Sequence, residues 1–393
     1  MKKLQLLIFL FAFYLPTSFS QTIQRIDNTS YAADSLQAKI KYLMQAANVS
    51  GVAISVFNDT KPVFSKTFGL ADVQKKIPFQ QNSVMYAASF AKVVFAYIAM
   101  KYVQEKVLDL DKPLVSYLPK PLVDYKIEGW NRGYQHLKND ERYKKITARM
   151  CLSHTTGFPN WRWFEEDKKL KIKFEPGSRY SYSGEGMYLL QFVLEQITGK
   201  DYETISQELV FEPFNMMNTS QVWQSRFDQN TVFGHNCKGV SYDLMKWEEA
   251  SAGGSMSTTL EDYTNFYTAL IAGTGLNKVS FAEMLKPQIR IRSQRQFGPL
   301  SRVDSTENDK IMLSYGLGVG LLQSPYGKAF FKEGHDDGWG HYSIYFPDKK
   351  IGVIIMTNND CGESIFKELL AYSIGDIYTP YKWENYIPYN IAE

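Results

Sequence analysis

Two hairpin-like patterns, one near each end, constrain this chain most. Residues 52–57 and 62–68 are β-rich runs split by Asn58-Asp59, and residues 342–346 and 351–356 are a second pair split by Pro347-Asp348-Lys349-Lys350. Such runs around polar turn residues read as strands paired antiparallel. Helical spacing flanks both pairs: Leu36, Ile40, Leu43 and Ala46 within residues 35–47 before the first, and residues 363–372 after the second. The middle of the chain reads as largely helical. The pattern predicts an α/β fold of the α+β type, with an antiparallel sheet built from both ends, terminal helices against it and a helical unit inserted between. Its α/β part spans about residues 35–88 and 312–375, its helical part about 89–311, and residues 379–393 form an aromatic tail. Antiparallel hairpins in place of repeated βαβ crossovers exclude a dinucleotide-binding fold.

The chain has 393 residues, 44% hydrophobic and 22% charged, enough to bury a full core. A formal net charge of +3, two of whose lysines are Lys2 and Lys3, excludes an electrostatic case for nucleic acid or an anionic membrane. Those lysines open a short basic start. An apolar stretch follows over residues 4–15, and Ser18-Phe19-Ser20 puts small residues at the −3 and −1 positions before Gln21. This is the pattern of a secretory signal over residues 1–20, and its apolar stretch falls short of the ~20 residues that span a bilayer. The expectation is export to a periplasmic or extracellular space, with no stable membrane insertion after removal of the signal. Cys151, Cys237 and Cys361 are too few and too scattered for a disulfide scaffold, although one bridge is compatible with them.

Chemistry is suggested first by Ser89-Phe90-Ala91-Lys92, just ahead of Val93, Val94, Tyr97 and Ile98, which share one helix face. Positions three apart are neighbours on a helix, so Lys92 would stand beside the Ser89 hydroxyl as proton acceptor or activator, provided that its surroundings favour the neutral amine. The competing reading is an N-cap serine followed by a solvated lysine.

Further segments follow in order: Phe68-Gly69-Leu70-Ala71-Asp72, Leu108-Asp109-Leu110-Asp111-Lys112-Pro113, Tyr117-Leu118-Pro119, Cys151-Leu152-Ser153-His154-Thr155-Thr156-Gly157-Phe158-Pro159, Phe174-Glu175-Pro176-Gly177, Phe211-Glu212-Pro213-Phe214-Asn215-Met216 and Ala252-Gly253-Gly254-Ser255-Met256-Ser257-Thr258. Together with Ser89 and Lys92 they resemble the serine beta-lactamase and penicillin-binding-protein superfamily, in its class C and D-alanyl-D-alanine carboxypeptidase-like branch, over about residues 35–370. The resemblance implies a proton-relaying tyrosine. Tyr182 in Tyr180-Ser181-Tyr182-Ser183-Gly184 matches the first position of the Tyr-x-Asn motif, with Tyr180 as its rival. A phenol of ordinary pKa ~10 serves as base only where a cation lowers it, which Lys92 would do. Gly184 stands where the motif has Asn, removing an amide that in the family helps hold the substrate amide and the lysine.

The family's third element, Lys-Thr-Gly or His-x-Gly on the strand edging the site, is matched by Gly334-His335-Asp336-Asp337-Gly338-Trp339-Gly340-His341. His335 takes the basic position and Asp337 replaces the glycine, so the oxyanion hole is expected from the backbone N–H groups of Ser89 and Gly338. A metal site of His335, Asp336, Asp337 and His341 is disfavoured, because adjacent strand residues point to opposite faces. His154 is expected to pack, with Ser153 as a cap. His136 and His235 read as surface residues, Asp109 and Asp111 as turn residues, and 119–145 as a surface excursion.

What the resemblance implies is an exported serine hydrolase that needs neither metal nor cofactor. It would form a Ser89 acyl-enzyme with a small-molecule or peptide substrate: a D-amino-acid peptide, a beta-lactam or a small ester. Gly184 and His335 rank a general peptidase or esterase above a dedicated class C-like beta-lactamase. A catalytically silent protein binding cell-wall fragments is the reading from a different class.

Overall fold

The computed structural model describes residues 21–127 and 133–391; the signal expected at 1–20 lies outside them. The expected fold class is observed. Nine strands form one antiparallel sheet in the spatial order Ile77–Pro78, Lys61–Asp72, Gly51–Asn58, Ile351–Thr357, Trp339–Phe346, Gly327–Asp336, Gly320–Ser324, Ser314–Tyr315 and Ile289–Arg290. The two hairpins foreseen at the chain ends meet at its centre, where Ser55 pairs with Ile354 and Val52 with Thr357. Gly51–Asn58 and Ile351–Thr357 are buried along almost their whole length, because the sheet is covered on both faces.

One face packs on the terminal helices Ala33–Ala46 and Phe366–Ile374 through Leu36, Ile40, Leu43, Ile54, Ile355, Phe366 and Leu370. The other carries the inserted unit, whose core is the helix Ala91–Gln104 with Gly184–Thr198 and Leu260–Ile271 around it. Ala91–Gln104 is apolar nearly all round, as a helix surrounded by protein must be. The inserted unit also returns Ile289–Arg290 to the sheet edge, so strands begin before the boundary placed at 311/312.

Two surface readings are corrected. Within 119–145, Leu122, Tyr134, Leu137 and Tyr143 are buried in the helical unit's core, so apolar anchors hold this weakly periodic segment down. His235 is also buried: its Nε2 accepts from the Val73 N–H at 3.1 Å. Cys237 and Cys361 form a disulfide, the one bridge the sequence allowed, and Cys151 is buried and free. No helix among the described residues is long and apolar enough to cross a membrane.

Candidate active site

Ser89 lies in the short 3-10 turn Ala88–Phe90 that opens the helix Ala91–Gln104. Ala88 holds the left-handed φ of +46°, a strained conformation for a residue with a side chain. Its neighbours secure it: Phe90 is buried, stacked on Tyr263 at 4.6 Å and against His341 at 5.4 Å.

One helical turn brings Lys92 back to Ser89, with Nζ 3.0 Å from Oγ. Lys92 is 1% exposed, and its Nζ also donates to the Gly253 carbonyl. Burial, reinforced by the nearby Lys332 charge, pushes the Lys92 pKa well below the ordinary lysine range and favours the free amine. Tyr182, just ahead of the helix Gly184–Thr198, faces the same spot: its ring lies 5.2 Å from Lys92 Nζ, and the Ser89 hydroxyl reaches its phenol. The structure thus brings Ser89, Lys92 and Tyr182 together, while Tyr180 packs behind on Trp383 and Tyr315.

The proton balance differs from the sequence expectation in one respect. Burial holds Tyr182 well above a free phenol's pKa, and the Glu333 charge adds to the effect. With Lys92 uncharged, the cation left beside the phenol is Lys332, which is paired with Glu333. Tyr182 is therefore a neutral phenol, a proton donor at rest.

Three residues before His335, a second basic side chain of the same strand reaches the cluster. Lys332, 1% exposed, donates to the Tyr182 hydroxyl at 3.2 Å and pairs with Glu333, which Gln296 also holds at 2.8 Å. His335 points instead to Glu363 at 2.9 Å, its side chain 59% exposed, and that hydrogen bond pushes its pKa up to about 9. Lys332-Glu333-Gly334 has the Lys-x-Gly spacing in plain sight.

Hairpin parity decides which backbone N–H groups of this strand face the Ser89 segment. Two-residue turns join Gly320–Ser324 to Gly327–Asp336, where Ser324 faces Gly327, and Gly327–Asp336 to Trp339–Phe346, where Asp336 faces Trp339. In such hairpins the closing pair is hydrogen bonded, so backbone groups of 327, 329 and 331 face one neighbour and those of 336, 334 and 332 the other. Gly320–Ser324 ends at its pairing with Phe331, which leaves the N–H of His335 facing an open edge. The Ser89 segment covers that edge: a Cβ built on Gly334 would stand 3.3 Å from the Ala87 carbonyl oxygen. Gly338, by contrast, sits at the hairpin tip and gives its N–H to Asp360 Oδ1 at 2.6 Å.

The remaining sequence candidates are placed as follows. His154 is buried beneath Tyr182, stacked at 4.2 Å, and its Nδ1 accepts from the Ser183 N–H at 3.1 Å; Ser153 Oγ donates to the Arg149 carbonyl. Asp111 pairs with Arg149 at the surface. His341 is buried and hydrogen bonds the Tyr86 carbonyl at 2.9 Å, away from the exposed His335. Among the described residues no group of three or more His, Cys, Asp or Glu side chains could hold a metal ion. Gly184 has no room for a side chain, because the indole of Trp161 lies on it. A cavity of about 260 Å³ is lined by Tyr86, Trp223, Tyr242, Met245, Asp336 and Trp339 among others, and by none of Ser89, Lys92, Tyr182 and Lys332.

Comparison with known proteins gives consistent results. The family model described as Beta-lactamase matches residues 36–371. Penicillin-binding protein 4* of Bacillus subtilis is 23% identical over 76% of this chain, which spans 66% of that protein's length. Lovastatin esterase of Penicillium rubens is 24% identical over 78% of this chain and 85% of its own. A Beta-lactamase of Yersinia enterocolitica is 20% identical, with 81% and 84% covered. Among solved structures, the octameric penicillin-binding protein homologue from Pyrococcus abyssi superimposes with a TM-score of 0.65 at 19% identity, covering 88% of this chain and 80% of that one. The D-alanine carboxypeptidase AmpC from Burkholderia cenocepacia gives 0.63 at 17%, covering 83% and 93%. At these identities the structural likeness speaks for the fold.

Proposed function

Because this chain belongs to the Beta-lactamase family of serine hydrolases, we propose that it cleaves an ester or amide through an acyl-enzyme on Ser89. The observation that carries this reading is the buried Lys92 amine 3.0 Å from Ser89 Oγ, with the Tyr182 phenol and Lys332 in the same cluster. Ser89 Oγ attacks the substrate carbonyl carbon while Lys92 Nζ takes its proton. The carbonyl oxygen becomes an oxyanion held by the backbone N–H groups of Ser89 and His335. As the tetrahedral intermediate collapses, the Tyr182 phenol protonates the leaving group and is reprotonated from the Lys92 ammonium. Lys332, at 3.2 Å, holds the phenol in place. Water then attacks the acyl carbon as Lys92 takes its proton, and collapse of the second tetrahedral intermediate breaks the C–Oγ bond while Lys92 returns that proton to Ser89 Oγ, releasing the acid. Nothing in this sequence of steps calls for a metal or an organic cofactor.

Relatives named as an esterase, a penicillin-binding protein and a beta-lactamase bracket the substrate class as small esters, D-amino-acid peptides or beta-lactams. Gly184 offers no side-chain amide to a beta-lactam or a peptide, so we place ester cleavage ahead of dedicated beta-lactamase action. Export to the periplasm or the extracellular space is part of the same proposal. It is supported by the signal-like pattern of residues 1–20 and by the Cys237–Cys361 bridge, which an oxidising compartment preserves.

Incubation with a fluorophosphonate and with a fluorescent penicillin, followed by mass spectrometry, tests the reaction. An adduct on Ser89 that Ser89→Ala removes is expected. Unmodified protein with both reagents would leave a silent binding fold.

A further inference from the structure

The space beside Lys92, where Gly184 and Gly253 lack side chains, is filled by one indole. A Cβ built on Gly184 would come within 2.2 Å of the Trp161 ring, and one on Gly253 within 2.4 Å. Any larger residue at 184 would have to displace the ring. Lys92 Nζ lies 5.6 Å from its centroid, so the indole borders the reacting atoms and is not distant packing.

Trp161 is also held in place. The next residue, Arg162, is buried and makes a two-pronged pair with Glu185 in the first turn of Gly184–Thr198, at 2.9 and 2.7 Å. Its backbone N–H donates to the same carboxylate at 2.8 Å, and its remaining nitrogen to the Gly133 carbonyl at 2.7 Å. Trp163 stacks on the indole at 4.7 Å, and the Tyr188 ring lies 5.1 Å from it. A buried ion pair costs desolvation and is weak evidence for stability, but its geometry fixes register, here that of the Trp161 ring.

We propose that Trp161 is the specificity-determining residue of this site. Its ring forms a fixed aromatic wall over Gly184 and Gly253 that selects substrates with a flat, apolar acyl group. The assignment deepens the hydrolase reading and rests on it. The leaving group departs past Tyr182 and Lys332, so the wall is assigned to the acyl part of the substrate. An aromatic group set against an indole gains contact area and a ring–ring contact beyond burial, a discrimination of several-fold or more over an acetyl group.

The test compares kcat/KM for p-nitrophenyl phenylacetate with that for p-nitrophenyl acetate, using the full chain. The phenylacetyl to acetyl ratio is expected to fall at least fivefold in Trp161→Ala and to recover in Trp161→Phe, which keeps a ring. Gly184→Ala should lower the ratio in the native background and change it little beside Trp161→Ala, since the added methyl then has nothing to displace. Affinities for phenylboronic and methylboronic acid, which add to Ser89, give the same ratio without turnover. An active, labelled native enzyme whose ratio moves less than twofold in Trp161→Ala overturns the assignment alone. A native chain that neither labels at Ser89 nor hydrolyses either ester overturns the hydrolase reading and this assignment with it.

Discussion

Lys92 and Tyr182 share one buried site, and burial moves their titrations in opposite directions: the amine loses its proton more readily and the phenol keeps its own. The base and the acid of the proposed reaction are thereby separated without a metal or a carboxylate. Lys92→Met, which keeps the length but not the amine, should lower kcat/KM by about 10²–10⁴-fold in a steady-state ester assay. In the native enzyme the acidic limb of the pH profile should report Lys92, since the rate needs the free amine and falls as the pH drops through its depressed pKa. Two histidines offer a second check. His341, fully buried, has its pKa pushed down to about 4, whereas Glu363 raises that of His335 to about 9. Histidine NMR should find His341 neutral at pH 5 and His335 still charged at pH 8. The unfolded chain protonates His341 near its ordinary pKa of ~6.5. The stability His341 contributes is therefore present above that value and is lost progressively between pH 6.5 and 4, by roughly 3 kcal/mol. For His335 the sign reverses: its pairing with Glu363 stabilises below pH 6.5 and is lost as the pH rises through about 9. Urea unfolding of the native chain against His341→Phe and Glu363→Gln would separate the two.

At the scale of elements, the site is assembled where the start of one helix meets the open edge of a strand, and the two were not equally legible in the sequence. Ser89 and Lys92 are three apart on one helix, so their proximity follows from helical geometry alone. On Gly327–Asp336 the sequence holds two candidate basic residues, Lys332 and His335, and only the hairpin position separates them. Asp337-Gly338 is a two-residue turn signal, and counting back from it would have put His335 one residue before the closing pair and Lys332 deeper in the strand. Trp161 could not have been foreseen. Nothing local ties it to Gly184, and its placement depends on the Arg162–Glu185 pair, which is invisible until the chain is folded. That pair gives a prediction of its own. Glu185→Gln leaves a buried guanidinium without its counter-charge and should destabilise the protein by about 3–5 kcal/mol in denaturant unfolding. Glu185→Gln together with Arg162→Met should recover part of that loss, because no unpaired charge is left.

Across the whole molecule, the two chain ends build the sheet and the last residues close its far side. The hairpin patterns showed that the ends belong together, since alternation and turn residues are local signals. They did not show what the tail does, because a few aromatic residues without periodicity can pack anywhere. In the fold, Trp383 in the short helix Tyr381–Glu384 is completely buried; its Nε1 donates to Ser293 Oγ at 3.0 Å and its ring lies 6.0 Å from Tyr180. The next residue, Glu384, is 6% exposed, and burial together with the Glu333 charge holds its carboxyl well above the ordinary range. The tail thus forms the floor beneath Tyr180, Glu333 and the strand that carries Lys332. Trp383→Ala should leave a large cavity there and cost about 3–5 kcal/mol in urea unfolding. Trp383→Phe, which fills most of the volume but cannot donate to Ser293, should lose clearly less. If the floor also keeps Lys332 in register with Tyr182, kcat for a small ester should fall in Trp383→Ala at temperatures where the protein is still folded by circular dichroism. A variant that is destabilised but retains native kcat would confine the tail to a stabilising role.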